Sequence, residues 1–77
     1  MKVKVRVFGE LRFYVSQRCS SFEVEVPAGY TFGQLLAWIG IPPVEAWVLA
    51  VNGERVWTDR ILEDGDEVTV SGPVAGG

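Results

Sequence analysis

Polar and apolar residues alternate at the start of the chain, from residue 2 to residue 8. Alternation with a period of two is typical of a β-strand that has one buried face. Val3, Val5 and Val7 would share the buried face, and Phe8 lies with the basic residues on the other face. This run predicts a first strand over residues 2–8.

A second alternating run covers residues 22–26 and stops at Pro27, which has no backbone N–H to donate to a strand ladder. Its acidic residues would face the basic residues of the first strand if the two strands formed an antiparallel hairpin. We therefore interpret the basic residues as cross-strand partners rather than as an anion-binding site. Between the strands, the pattern favours a short helical turn over residues 11–16 and a loop over residues 17–21.

The next segment has apolar residues three and four positions apart, which is the spacing of one helix face: Phe32, Leu35, Leu36 and Ile39. Thr31, with Gln34 three positions later, has the pattern of a capping box, which starts a helix. Gly40 stands where a helix C-cap belongs, and two prolines follow shortly after it. These signals predict one amphipathic helix that can cover a sheet.

Residues 47–51 and 54–57 flank the pair Asn52-Gly53, which tolerates the positive φ angles of a tight type I′ turn. We predict a β-hairpin here. Trp57 belongs to this hairpin, and both a core position and a partner interface are open interpretations for it. We assign the other two tryptophans to core or helix packing: Trp38 and Trp47.

The last strand signal is the alternating run of residues 67–70, which follows turn residues 63–66 and two apolar anchors, Ile61 and Leu62. The order of elements predicts an α+β domain, a mixed sheet of about five strands with one main helix across one face. Residues 1–70 would form this domain. Residues 71–77 have no periodicity and contain three glycines, so we predict a flexible C-terminal tail that ends in Gly-Gly.

Composition narrows the chemistry further. The 77 residues include no histidine and a single cysteine, Cys19, so we expect no imidazole base, no metal site and no catalytic machinery on this chain. Asp64 and Asp66 lack the further ligands of a calcium loop, which favours a turn. The net charge of −3 argues against nucleic-acid partners, and the lack of a long apolar run argues against a membrane span. We expect a cytoplasmic protein.

Three motifs stand out along the predicted elements: Val51-Asn-Gly-Glu54, Asp64-Gly-Asp-Glu-Val68 and Pro73-Val-Ala-Gly-Gly77. Two N-terminal pairs accompany them, Phe8-Gly9 and Leu11-Arg12. Together these motifs resemble the MoaD/ThiS-like sulfur-carrier family, and most of all its molybdopterin synthase small-subunit branch. The resemblance implies a ubiquitin-like β-grasp fold.

The resemblance also implies that an E1-like adenylating enzyme uses ATP to adenylate the carboxylate of Gly77. Sulfur would then replace AMP, and the resulting thiocarboxylate would donate sulfur for dithiolene formation in molybdopterin, the organic part of the molybdenum cofactor. The preceding tail residues would thread into the partner's active site: Pro73, Val74, Ala75 and Gly76. No cofactor is expected on the chain itself, because the ATP site would belong to the adenylating enzyme.

The implied partners are that enzyme, the molybdopterin synthase large subunit in a heterotetramer of two small and two large subunits, and a sulfur donor such as a cysteine desulfurase or a rhodanese. Ser71 and Trp57 are candidate partner contacts, although the family usually has an apolar or aromatic residue at the position of Ser71. Three alternatives stay open. The chain could carry sulfur for thiamine, tRNA thiolation or cysteine synthesis, modify protein lysines as ubiquitin does, or be an interaction module with an incidental Gly-Gly.

Overall fold

A computed structural model describes residues 1–9, 21–42, 44 and 46–72. Within these ranges the chain forms six elements: β1 (Lys2–Phe8), β2 (Ser21–Glu25), α1 (Phe32–Ile39), β3 (Val48–Val51), β4 (Glu54–Val56) and β5 (Glu67–Ser71). Their order along the chain is the predicted one. The predicted helical turn over residues 11–16, Cys19 and tail residues 73–77 lie outside the described residues.

The five described strands form one mixed sheet in the order β2-β1-β5-β3-β4. β1 and β5 run parallel, and the other neighbouring strands run antiparallel. The apolar side chains of α1 join those of one sheet face in a single core. This is the predicted ubiquitin-like β-grasp fold, with the first and last strands side by side in the middle of the sheet.

The alternation in β1 sorts its side chains as predicted. The three valines are fully or almost fully buried in the core, and the residues between them are exposed. β2 pairs antiparallel with β1 and places Glu23 opposite Lys4, which confirms the predicted cross-strand arrangement of charges. The prediction that Ser21 belongs to a loop is wrong. Ser21 lies opposite Arg6 as the first residue of β2, because the pairing continues beyond the alternating run.

Both ends of α1 carry the predicted caps. The Thr31 hydroxyl accepts a hydrogen bond from the Gln34 backbone N–H at 3.2 Å, and the Gln34 side chain accepts one from the Thr31 N–H at 2.9 Å. Gly40 adopts a left-handed conformation with φ of 93° and donates its N–H to the Leu36 carbonyl, which ends the helix. The helix buries one stripe of side chains: Phe32, Leu35 and Leu36.

The β3–β4 hairpin turns at Asn52 and Gly53, whose φ angles of 52° and 86° are both positive, as a type I′ turn requires. The Asn52 side chain also connects this turn to the start of β5. Its oxygen accepts from the Glu67 N–H at 2.9 Å, and its amide donates to an Asp66 carboxylate oxygen at 3.1 Å. The turn residue Asn52 therefore fixes the position of β5 relative to the hairpin.

Residues 63–66, before β5, form the predicted turn. Asp64 accepts from the Lys2 N–H at 2.7 Å, and Asp66 accepts from the Glu63 N–H at 2.8 Å. Each carboxylate thus satisfies a backbone donor, which is what turn-forming aspartates do. Of the two predicted apolar anchors before the turn, Leu62 is buried, whereas Ile61 is 60% exposed and the prediction for it is wrong.

We predict core or helix packing for Trp38 and Trp47, and the core part of that prediction is wrong, because both lie outside the core. Trp38 is 54% exposed because it lies off the buried stripe of α1, and its ring contacts Tyr30 edge-on with centroids 5.8 Å apart. Trp47 is 63% exposed because it precedes β3, where the sheet ends. Trp38 therefore lies on a side of α1 that does not face the core, and Trp47 lies before the start of β3.

Candidate functional site

The end of β5 is the point from which the predicted tail leaves the domain. Ser71 is the last residue of β5, and it lies between Phe8 at the end of β1 and Val48 at the start of β3. The Ser71 carbonyl accepts a hydrogen bond from the Trp47 N–H at 2.9 Å. Gly72, which follows, is buried. The prediction that the tail begins at Ser71 is therefore wrong, because Ser71 is a paired residue at the end of the central strand of the sheet.

Apolar side chains surround this exit point on the face of the sheet opposite α1, which we call the open face. Phe8 is 46% exposed and Val48 is 43% exposed, since each has the opposite phase to the buried residues of its strand. Trp57 follows the end of β4 and is 63% exposed. We call Phe8, Ser71, Val48 and Trp57 the apolar row. The structure thus places Trp57 at the surface and not in the core.

Two arginines lie over the aromatic rings at the ends of the apolar row. The Arg6 guanidinium carbon is 5.6 Å from the centroid of the Phe8 ring, and that of Arg55 is 4.5 Å from the Trp57 ring. Both distances are in the range of cation–π attraction. The Arg55 side chain also donates to the Trp47 carbonyl at 3.4 Å. Strand register places four residues side by side, which we call the arginine row: Arg6, Thr69, Ala50 and Arg55.

A third row lies further from the exit point. In it Lys4 has a glutamate on each side, Glu23 from β2 and Glu67 from β5, and all three side chains are exposed. Going away from the tail, the open face is therefore first apolar, then cationic, then mainly acidic. Such a surface is suited to docking a protein, because apolar and charged groups lie in separate bands.

The described residues include no candidate metal cluster and no candidate membrane-spanning helix. Within them, no group of three His, Cys, Asp or Glu side chains is arranged to hold a metal ion. No helix in the described ranges has the length and apolarity needed to cross a membrane.

Of the predicted site residues, Ser71 and Trp57 come to the same end of the open face. The other five lie outside the described residues, and their roles stay predictions: Pro73, Val74, Ala75, Gly76 and Gly77. Sequence reasoning placed Phe8 on the polar face of its strand but named neither Phe8 nor Val48 as a site residue. The signal was present for Phe8, which is apolar but falls in the polar phase of β1.

The family assignment follows from the sequence itself. The sequence model of the ThiS family matches residues 5–77. The chain belongs to the ThiS family. The matched range contains most of β1, every later element and the Gly76-Gly77 pair, so the predicted resemblance to MoaD/ThiS-like sulfur carriers is confirmed.

Solved structures of family members and their relatives have the same fold. A putative molybdopterin converting factor subunit 1 from Pyrococcus furiosus is 32% identical over 96% of this chain and 99% of its own, with a TM-score of 0.73. Small archaeal modifier protein 1 from Haloferax volcanii is 18% identical over 95% of this chain and 98% of its own, with a TM-score of 0.74. One chain from a complex of subunits 1 and 2 of the Helicobacter pylori molybdopterin-converting factor is 24% identical over 100% of this chain and 100% of its own, with a TM-score of 0.59. The last two similarities concern the fold alone.

Proposed function

We propose that this chain is a sulfur carrier for molybdopterin synthesis and that the Gly77 carboxyl group carries the sulfur. The observation that most supports the proposal is the 32% identity to the Pyrococcus furiosus protein over 96% of the chain. The match to the ThiS family, which includes the Gly76-Gly77 pair, supports the carrier role more generally.

The chemistry requires an activated carboxylate, because a free carboxylate is a poor electrophile. In the active site of an E1-like enzyme, a carboxylate oxygen of Gly77 would attack the α-phosphorus of ATP and release pyrophosphate. A sulfur nucleophile of hydrosulfide oxidation level would then attack the carbonyl carbon of the acyl adenylate, and AMP would leave. The product is a thiocarboxylate, whose sulfur is nucleophilic and can be passed on to the pterin precursor.

The geometry of the exit point suits such a carrier. Five residues follow Gly72, and a chain of that length can extend by at most roughly 17 Å. The terminal group could therefore enter a narrow partner site while the apolar row rests on the partner's surface. Terminal glycines suit this role because they have no side chain to widen the tail.

The partner in the final step would be the molybdopterin synthase large subunit, with an assembly of two small and two large subunits as predicted. The Helicobacter pylori structure, a complex of subunits 1 and 2, supports a partner of this kind for the fold. A cysteine desulfurase or a rhodanese would supply the sulfur as a protein persulfide, and a thiol would reduce it to the hydrosulfide level and be oxidised to a disulfide. Ser71 lies within the apolar row and Trp57 at its edge, so both would contact the partner surface.

The test is the intact mass of the chain after incubation with an E1-like activating enzyme, ATP and sulfide. A variant that lacks Gly77 serves as the matched control, and circular dichroism establishes that both forms are folded. We expect the wild-type chain alone to gain the mass difference between sulfur and oxygen. The modified chain should then convert the cyclic pterin precursor when the large subunit is added. A wild-type mass that stays unchanged with active enzyme would contradict the proposal.

The fold likeness to a small archaeal modifier protein favours one second candidate, a modifier whose Gly77 is joined to lysines of other proteins. The same activated terminus would serve this reaction. Isopeptide-linked products in cells, found without any thiocarboxylate-dependent pterin synthesis, would favour the modifier. Thiocarboxylate formation without pterin conversion would instead favour a carrier for thiamine, tRNA thiolation or cysteine synthesis.

A further inference from the structure

We propose that the open face selects a partner whose apolar docking surface has two carboxylates at its border, one for Arg6 and one for Arg55. The proposal rests on the docking role proposed above and adds to it the chemistry of the partner surface. It is carried by the two arginine–aromatic pairs and by the order of the three rows on the open face.

The two arginines lie at opposite ends of the arginine row, each beside an aromatic ring. Arg6 lies in β1 and Arg55 in β4, which are separated by β5 and β3. Neighbouring strands are about 4.8 Å apart, so the two backbone positions are separated by roughly 14 Å. Each guanidinium lies over the aromatic ring of the residue two positions later in the sequence. A partner that meets the whole apolar row would meet both guanidinium groups as well.

A cation–π contact with a ring prepares an arginine to bind a carboxylate. Each guanidinium carbon lies within cation–π range of its ring, and a planar guanidinium can donate two parallel hydrogen bonds to a carboxylate. Because the ring contact already restricts the side chain, less conformational entropy is lost on binding. For Arg55 the hydrogen bond to the Trp47 carbonyl restricts it further.

Carboxylates of this chain do not occupy the two guanidinium groups in the part of the molecule that the structure describes. The ion pair found there joins Arg60 to Glu54 at 3.6 Å, and no described carboxylate lies within 4.0 Å of Arg6 or Arg55. Both arginine side chains are exposed. A partner carboxylate would therefore reach Arg6 or Arg55 without having to displace a described carboxylate of this chain.

The third row gives the docking a direction. Glu23 and Glu67 lie one row beyond the arginines, roughly 7 Å further from the exit point. The third row keeps a net negative charge with Lys4 between the two glutamates, so it repels partner carboxylates while the arginine row attracts them, and a reversed orientation is penalised. In the favoured orientation the apolar row, from which the tail leaves, faces the apolar part of the partner. The charges would thus direct residues 73–77 toward the partner site.

The test uses the purified full chain and the molybdopterin synthase large subunit from the same genome, with affinity measured by titration calorimetry at low and high salt. We expect Arg6→Glu and Arg55→Glu each to weaken binding roughly tenfold, and the double variant to weaken it roughly a hundredfold. The losses should shrink as salt is added. Arg55→Lys, which keeps the charge but loses the planar fork, should fall between wild type and Arg55→Glu.

Lys2→Glu is the matched control, because it makes the same charge change on the same face but lies far from the apolar row. We expect its affinity to stay within about twofold of wild type. Equal losses for Lys2→Glu and the two arginine variants would overturn the proposal, as would an absence of binding by the wild-type chain.

Thiocarboxylate formation by the wild type separates the docking proposal from the proposed carrier function. If it forms while the arginine variants bind normally, the docking inference alone fails. If it never forms while the arginine effects persist, the carrier function alone fails.

Discussion

Asp66 is the buried charged side chain among the described residues, with 7% of its surface exposed. Its carboxylate accepts one hydrogen bond from the Asn52 side chain and one from the Glu63 backbone. A buried carboxylate of this kind stabilises the fold only while it accepts a hydrogen bond from each of the two donors that face it. At the scale of single residues, Asp66 is therefore the position where a minimal chemical change has the largest expected effect.

We predict that Asp66→Asn lowers the free energy of unfolding by about 1–3 kcal/mol, because its NH₂ group would face a donor where an oxygen now accepts. Urea denaturation of the purified chain measures this value. Asp59→Asn makes the same chemical change at an exposed turn position, and we expect an effect below about 0.5 kcal/mol there. Equal effects at the two positions would show that the contacts of Asp66 are not stabilising.

At the scale of elements, α1 depends on its environment. Isolated helices shorter than about 12 residues are marginal in water, and α1 has eight residues. Its first turn is held by the capping box and by two backbone hydrogen bonds from Phe32 and Gly33 to the carbonyls of Arg60 and Thr58. The segment between β4 and β5 therefore serves as part of the helix N-terminal cap.

We predict that Thr31→Ala lowers the free energy of unfolding by about 1 kcal/mol, since the backbone N–H of Gln34 loses its acceptor. Thr31→Ser keeps the hydroxyl and should cost only a few tenths of that. Urea midpoints at an unchanged m-value give the comparison. A serine variant as unstable as the alanine variant would mean that the hydroxyl hydrogen bond is not the stabilising feature.

At the scale of the whole molecule, the core is small and lies entirely between α1 and one face of the sheet. Fourteen apolar residues of the described ranges form it, and several large apolar side chains are left outside. A domain of this size has a modest margin of stability, typically about 5–15 kcal/mol. Removal of a single core side chain should therefore affect the entire fold, whereas removal of an exposed ring should not.

Leu36 and Trp38 on the same helix test this contrast. Leu36 is completely buried, and we predict that Leu36→Ala lowers the free energy of unfolding by about 2–5 kcal/mol through lost burial and a residual cavity. Trp38→Ala removes a larger side chain that is 54% exposed, and we expect a loss below about 1.5 kcal/mol. Thermal and urea unfolding measure both variants. A larger loss for Trp38→Ala would contradict the placement of the core.

Local signals in the sequence were sufficient for much of the fold. Alternation defined β1, the Thr31–Gln34 pair and Gly40 marked the ends of α1, and Asn52-Gly53 marked the hairpin turn. Each of these features depends on residues within a few positions of one another, so the chain pattern is enough to determine them. The ThiS family membership could be predicted in the same way, from short continuous sequence motifs.

The strand order and the surface of the candidate site were decided by the tertiary structure. The parallel pairing of β1 with β5 joins residues more than 60 positions apart, and no local pattern specifies it. This pairing brings Phe8 to Ser71, and the pairing of β3 with β5 adds Val48 beside them. The exposure of Trp38 and Trp47 was not predicted, because it depends on which side of α1 meets the sheet and on where β3 begins, and the sequence left the exposure of Trp57 open. The sequence by itself therefore determined the local elements and the family, while long-range pairing determined which apolar residues stay outside the core to form the open face.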